Sequence, residues 1–270
     1  MRAFVFTSLL IATGATLLGP AGCKQTVAIR RTEQFIPVAK GARVQVTSST
    51  GHISVAAGRT GMVSIKTYRR VRAVWSAENK LKHIKVTATK EKGLLRIVAE
   101  SPPSKSSKQY HTHLRITVPP TTNLVLKTRK GHINLTNLRG DIEATTKRGE
   151  LRGRGVTGQV TLWTGEGNII LRGAPRRFHF RTNLGDVRLW LRPETQLVGK
   201  SEARTKSGAL TLHASTKLNA LITAEAKGGE VHSAFPVESK KPHGLRVRLG
   251  RGGPSISLFC HAGGLRLEKW

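Results

Sequence analysis

The chain has 270 residues, 38% hydrophobic and 23% charged, which excludes a disordered polymer and leaves room for one large or two modest domains. Aromatic residues make up 5%, so the core must be aliphatic, and 46 basic against 15 acidic residues give a net charge of +31. Lys and Arg are spread along the whole chain rather than gathered in a tail, and such a protein binds polyanions at least non-specifically.

At the N-terminus Arg2 precedes the apolar run AFVFTSLLIATGATLL and then GPAGC, the layout of a secretory signal over residues 1–22. The run is short for a membrane span and is interrupted by Ser and Thr. The AGC before Lys24 resembles the lipobox of bacterial lipoproteins, with Pro20 standing where that motif usually has Leu. The resemblance implies cleavage behind Gly22 and acylation of Cys23, and an anchor of two or more chains holds a protein stably on a membrane. Ordinary cleavage near Ala21, giving a periplasmic or secreted protein, is the alternative. Either way the protein is expected outside the cytosol. Its 46 basic residues less Arg2, against the same 15 acids, leave a net +30. The expected partners are therefore envelope polyanions, not a specific nucleic acid. Cys260 in SISLFCHAGG reads as a small buried strand residue if Cys23 is acylated, and a Cys23–Cys260 disulfide stays open if it is not.

Over 23–120 alternating runs appear at ARVQVTSS, GHISVAA, MVSIKTYRRVRAV, HIKVTATK, LLRIVAE and HLRITV, each bounded by turn signals. They predict an antiparallel or mixed β-layer, with SPPSKSSK at 101–108 as a polar loop. SAENKLKH at 76–83 could form one helical turn or two.

From residue 121 to 270 the chain counts. TRKGHINL, TKRGELRG, TGEGNIIL and TNLGDVRL place Thr at 128, 146, 164 and 182 and Gly at 131, 149, 167 and 185. With 28 glycines in the chain, four in register arise by chance on the order of once in ten thousand. In the same register Ile133, Leu151, Ile169 and Val187 form an apolar column, as do Leu124, Ile142, Val160 and Phe178. Apolar columns alternate with polar ones at period two, so each repeat is strand, turn, strand, turn. Gly140 and Gly158 predict a second corner needing positive φ. One coil cannot bury its own apolar face, whereas stacked coils make a continuous core. The expected fold is all-β: a parallel β-solenoid of about 18 residues per coil, preceded by an N-terminal β-layer continuous with it. The repeat loosens to Gly208 and Gly229; RPETQLVGKSEA should form a corner loop, and GRGGPSISL and HAGGLRL read as final coils that Trp270 could close.

TSSTGHISV, LRITVP followed by NLVLKTRKGHINL, and the repeated T-x-x-G-[DEN]-[IVL] units together resemble the bacterial putative-adhesin domain of envelope proteins, over nearly the whole exported chain. The resemblance implies a β-solenoid and brings no catalytic residues.

Two motifs are decoys. GRGVTG at 153–158 matches GxGxxG but runs into another strand instead of a helix, and LVGKS at 197–201 has Glu194 in place of the first phosphate-loop Gly. Some parallel β-helices cleave acidic polysaccharides with clustered acids. Here Glu150 and Asp186 stand two coils apart in a column with His132 and Asn168, and a polar ladder is expected there. His111 and His113 share a strand face but show no third ligand, so no metal and no cofactor is expected. Arg152 and Arg188 recur in one outward column, and Arg154, Arg172 and Trp190 in the next. At strand spacing they would form a basic patch, since guanidinium groups hold sulfate, phosphate or carboxylate bidentately. The function expected is a non-enzymatic envelope surface protein binding anionic polysaccharide or another surface polyanion. An envelope scaffold that contacts other proteins is the alternative, and a polysaccharide-degrading enzyme the remoter one.

Overall fold

The computed structural model describes residues 6–10, 26–39, 41–102 and 110–270. Cys23 and the expected leader other than residues 6–10 lie outside them, as does most of the expected loop at 101–108. The chain divides into two compact units, Met1–Gly131 and His132–Trp270.

The first unit holds β1 (Phe6–Leu10), β2 (Thr26–Pro37), β3 (Arg43–Thr50), β4 (Ile53–Ala57), β5 (Met62–Ala73), α1 (Ala77–Leu81), β6 (Lys85–Glu91), β7 (Leu94–Glu100), β8 (Tyr110–Val118) and β9 (Asn123–Lys130). The layer is mixed. β1, β2, β5 and β8 pair antiparallel in that order, and β4 lies parallel to β8. β3 lies parallel between β7 and β9, while β6 closes antiparallel on β7. Alternation drives this arrangement: Val44, Val46, Ile53, Val55, Ile97, Ile116 and Leu126 are buried while their neighbours along each strand are more exposed. The single helical turn α1 buries Ala77 and Leu81 against Ala28, Val71, Ile84 and Tyr110. The likeness between STGHISV and KGHINL has a spatial basis. Gly51 donates its N–H to Lys130 O at 2.8 Å, and Thr128 Oγ1 reaches Gly51 O at 3.5 Å.

The second unit holds β10 (Ile133–Thr136), β11 (Ile142–Arg148), β12 (Leu151–Glu166), β13 (Ile169–Leu184), β14 (Val187–Leu191), β15 (Ser201–Ser207), β16 (Leu210–Ala214), β17 (Ala220–Ala226), β18 (Val231–Ser233), β19 (Ser239–Lys241), β20 (Gly244–Leu249), β21 (Ser255–Ala262) and β22 (Leu265–Lys269). Its early strands pair in parallel, and outside the shifted stretch Val156–Gly158 each residue meets the one eighteen further on: Ile133↔Leu151↔Ile169↔Val187 and Ile142↔Val160↔Phe178. The next step is 23 residues, Val187↔Leu210, because 192–200 form the loop expected of RPETQLVGKSEA. Leu265 extends the column, and all six residues from Ile133 to Leu265 are fully buried. Each such side chain contributes roughly 1.5–3 kcal/mol on leaving water.

The Gly corner is held by two constraints. At Gly185, φ is 138°, and a Cβ would sit 2.3 Å from Gly167 O. Beside the corner a Thr donates to the Gly carbonyl of the preceding repeat: Thr164 to Gly149, Thr182 to Gly167 and Thr205 to Gly185, all at 2.9 Å. Cys260 pairs with Thr205 and fills the next place in this column, its Sγ 3.1 Å from Gly208 O.

Three expectations are corrected. At the second corner Gly158 has φ 90°, but Gly140 does not have positive φ; Asn137, at 55°, makes that turn instead. An Asn side chain tolerates the left-handed region, which is why the sequence hid it. GRGGPSISL and HAGGLRL are not the last coils in space. β21 lies parallel between β15 and β17, and β22 between β16 and β18. The outer side of β17 carries β20 antiparallel, with β19 beyond it. Trp270 therefore does not close the open end; its N–H donates to Ala214 O at 3.0 Å, next to β16.

Candidate functional site

The parallel register makes two outward columns on the strands that follow the Gly corner. One runs Asn134, Arg152, Ile170, Arg188, Thr211 and Arg266, the other Thr136, Arg154, Arg172, Trp190, His213 and Glu268. Neighbours in a column stand about 4.8 Å apart by strand spacing. The five residues singled out in the sequence thus lie on three adjacent strands: Arg152 and Arg154 on β12, Arg172 on β13, Arg188 and Trp190 on β14.

The two columns differ in charge balance. Neither has an acid beside its arginines within the column, but the carboxylates two residues earlier in the chain, just before each strand begins, reach across. Glu150 holds Arg152, and Asp186 holds Arg188 at 3.1 Å. Arg154 and Arg172 have no carboxylate partner among the described residues. Both are exposed.

Trp190 is the centre of a stack. The Arg172 guanidinium carbon lies 4.4 Å from its ring centroid, and the His213 ring lies 4.7 Å away at 5°. Arg172 and His213 occupy the column places before and after Trp190, so they take its two faces. His213 Nδ1 meets Glu268 Oε2 at 3.1 Å. Partial burial lowers the His213 pKa below its ordinary value; Glu268 opposes this and Arg172 adds to it. The imidazole is therefore neutral at neutral pH, a flat spacer in the stack more than a third cation.

Beside the stack opens a cleft of about 540 Å³ lined by Arg154, Arg172, Trp190, Arg192, His213 and Trp270. Arg192 is paired with Glu194 at 3.4 Å, and Trp270 is 54% exposed. His213, Arg192, Glu268 and Trp270 were missed in the sequence. His213 had a signal, since the Gly185-to-Gly208 step of 23 residues carries Trp190 to it. Glu268 had none, because its coil arrives out of order.

The acidic column works for the backbone. His132 Nδ1 accepts the Glu150 N–H at 2.9 Å, Asn168 Oδ1 the Asp186 N–H at 2.8 Å, and Asp186 Oδ1 the Ala209 N–H at 2.9 Å. These side chains tie one coil to the next.

In the first unit His111 and His113 lie on β8. His113 stacks on His52 with centroids 4.7 Å apart, and Tyr68 is 5.7 Å away under Arg31. Burial, then His111, then Arg70 lower the His113 pKa. Among the described residues no three His, Cys, Asp or Glu side chains are grouped to hold a metal ion. Among the described residues no helix is long and apolar enough to cross a membrane.

The model of the family described as Toastrack DUF4097 matches residues 21–247. No curated protein matches the chain. Among solved structures, a putative adhesin from Bacteroides fragilis NCTC 9343 is similar at 13% identity and TM-score 0.51, over 89% of this chain and 97% of that one. A putative cell adhesion protein from Clostridium sporogenes ATCC 15579 matches at 12% identity and TM-score 0.43, over 89% of this chain and all of that one. A putative lipid binding protein from Parabacteroides distasonis ATCC 8503 matches at 14% identity and TM-score 0.38, over 89% and 96%.

Proposed function

The chain belongs to the Toastrack family DUF4097, and from that premise we propose an exported, non-enzymatic protein of the bacterial cell envelope that binds anionic glycan or another surface polyanion. In this reading residues 121–270 wind as a parallel β-solenoid of about 18 residues per coil, and Cys23 carries a lipid anchor. The ligand lies on the sheet face that presents Arg154 and Arg172.

The observation that supports it most is the unneutralised pair of arginines in one column, on a chain of net charge +31. A guanidinium fork with no carboxylate of its own keeps its donors for a foreign anion. The similar structure from Bacteroides fragilis is named a putative adhesin; at 13% identity the likeness concerns the fold, and the charge of this chain speaks for the ligand. The same pairing ranks the patch. Arg154 and Arg172 are primary, whereas Arg152 and Arg188 must first give up Glu150 and Asp186. The non-enzymatic reading draws support from those acids, which pair with arginines and backbone amides.

Heparin binding by the full exported chain, measured against salt, tests the reading. Screening should weaken affinity steadily as salt rises. Replacing Arg154 and Arg172 with Ser should cost tenfold or more, since a hydrogen bond to a charged group contributes about 1.5–3 kcal/mol. The same change at Arg152 and Arg188 should cost less. A flat salt response, or unchanged affinity in the Arg154/Arg172 variant, would overturn the proposal.

A further inference from the structure

Resting on that reading, we infer that the cleft beside the stack is a subsite for one acidic sugar residue, with the pyranose ring against Trp270 and its anionic group on Arg154 and Arg172.

Trp190 cannot be the sugar platform. Its two faces are taken by Arg172 at 4.4 Å and His213 at 4.7 Å. Trp270 lines the same cleft and is 54% exposed. It is the indole with surface to offer, and an indole face suits the C–H face of a sugar ring. Stacking on Trp190 uses one face of the Arg172 guanidinium and leaves its N–H groups, which point outward in the plane, for an anion. Arg154 stands next to Arg172 in the register, so two forks lie side by side at strand spacing. Arg192 lines the cleft, but Glu194 already pairs with it.

The volume, about 540 Å³, falls within the roughly 300–1,000 Å³ of small-molecule sites. A phosphate chain would satisfy the arginines and leave Trp270 idle. A neutral sugar would do the reverse. Only a ligand joining a ring to an anionic group, whether carboxylate, sulfate or phosphate, uses both halves of the cleft. Trp190 and His213 act through Arg172 as positioning residues.

The test is titration of the full exported chain with three probes: an oligogalacturonate, a sulfated heparin disaccharide and inorganic tripolyphosphate. Trp270→Ala should weaken at least one of the two sugar probes about three- to tenfold, as loss of an aromatic contact of roughly 0.5–1.5 kcal/mol implies. It should leave tripolyphosphate within about twofold, and Trp270→Phe should restore most of the sugar affinity. A response by the heparin disaccharide alone identifies sulfate as the preferred anion, whereas a response by the oligogalacturonate shows that a carboxylate suffices. An unaltered circular dichroism spectrum and thermal midpoint establish that the variant is folded. If both sugar probes ignore Trp270→Ala, or if all three weaken alike, the subsite is refuted while arginine-dependent binding stands. If none of the probes nor heparin binds the parent chain, the polyanion reading beneath it fails as well.

Discussion

In each unit a row of flat side chains crosses neighbouring strands. The first runs Arg31, Tyr68, His113 and His52; the second runs Arg172, Trp190 and His213 and ends on Glu268. They differ in what flanks them. Beside the first row Lys66 is held by Glu33 at 3.3 Å. Beside the second, Arg154 has no carboxylate partner among the described residues. The cause is topological. Antiparallel pairing sets unrelated stretches face to face, so a cation on β5 can meet an acid on β2. Parallel pairing in register sets like positions beside like, so arginines accumulate unless the sequence breaks its own pattern.

The comparison can be broken hardest at the glycines. Gly185→Ala forces a side chain to within 2.3 Å of Gly167 O at φ 138°, whereas Gly93→Ala in the first unit, at φ 72°, meets nothing within 4 Å. Thermal unfolding should show a loss above about 3 kcal/mol for Gly185→Ala and about 1–2 kcal/mol for Gly93→Ala. Equal losses would mean that the corners are not sterically sealed.

Next in size is the hydroxyl ladder. Thr182→Val strands the Gly167 carbonyl, bonded at 2.9 Å, and should cost about 1–3 kcal/mol by urea unfolding. Thr128→Val in the first unit should cost clearly less, because its bond to Gly51 O is 3.5 Å long.

Acid should act through both rows. His113 and His213 have folded pKa values below the ordinary 6.5. The unfolded chain therefore binds more protons just below pH 6.5, and stability is full above that value and lost as pH falls beneath it. For His113 every influence has the same sign, while Glu268 offsets part of the effect at His213. Comparing urea midpoints at pH 7.5 and 5.5, His113→Gln should flatten the acid loss more than His213→Gln.

The smallest effect is expected at Cys260. It occupies a Thr place in the ladder, so Cys260→Thr should change stability by no more than about 0.5 kcal/mol. Burial, with Asp186 adding, raises the thiol pKa. In the parent chain it should stay unreactive toward a disulfide reagent at pH 8 until urea unfolds the protein.

The period was legible because sterics enforce it. Gly167 and Gly185 cannot change without a clash, and Ile133, Leu151 and Ile169 share one buried column. The arginine columns followed from counting. What stayed hidden needed side-chain reach or order in space. That Glu150 would hold Arg152 is invisible when columns are read one at a time. That Glu268 would meet His213 depends on a register step of 55 residues, Leu210↔Leu265. Asn137 replaced a glycine at its corner because its side chain tolerates the same backbone.

The placement of β21 and β22 constrains how the molecule can be made. This segment emerges after β17 and β18, yet it occupies the slot between them and β15 and β16. A chain threading out from its N-terminus cannot simply wind this stack in sequence. The slot must be held open, or the 220–233 coil must dock late, until residues 255–269 arrive. Assembly of that end then waits on pairings such as Leu210↔Leu265, far apart in sequence, and such non-local contacts are slow to form.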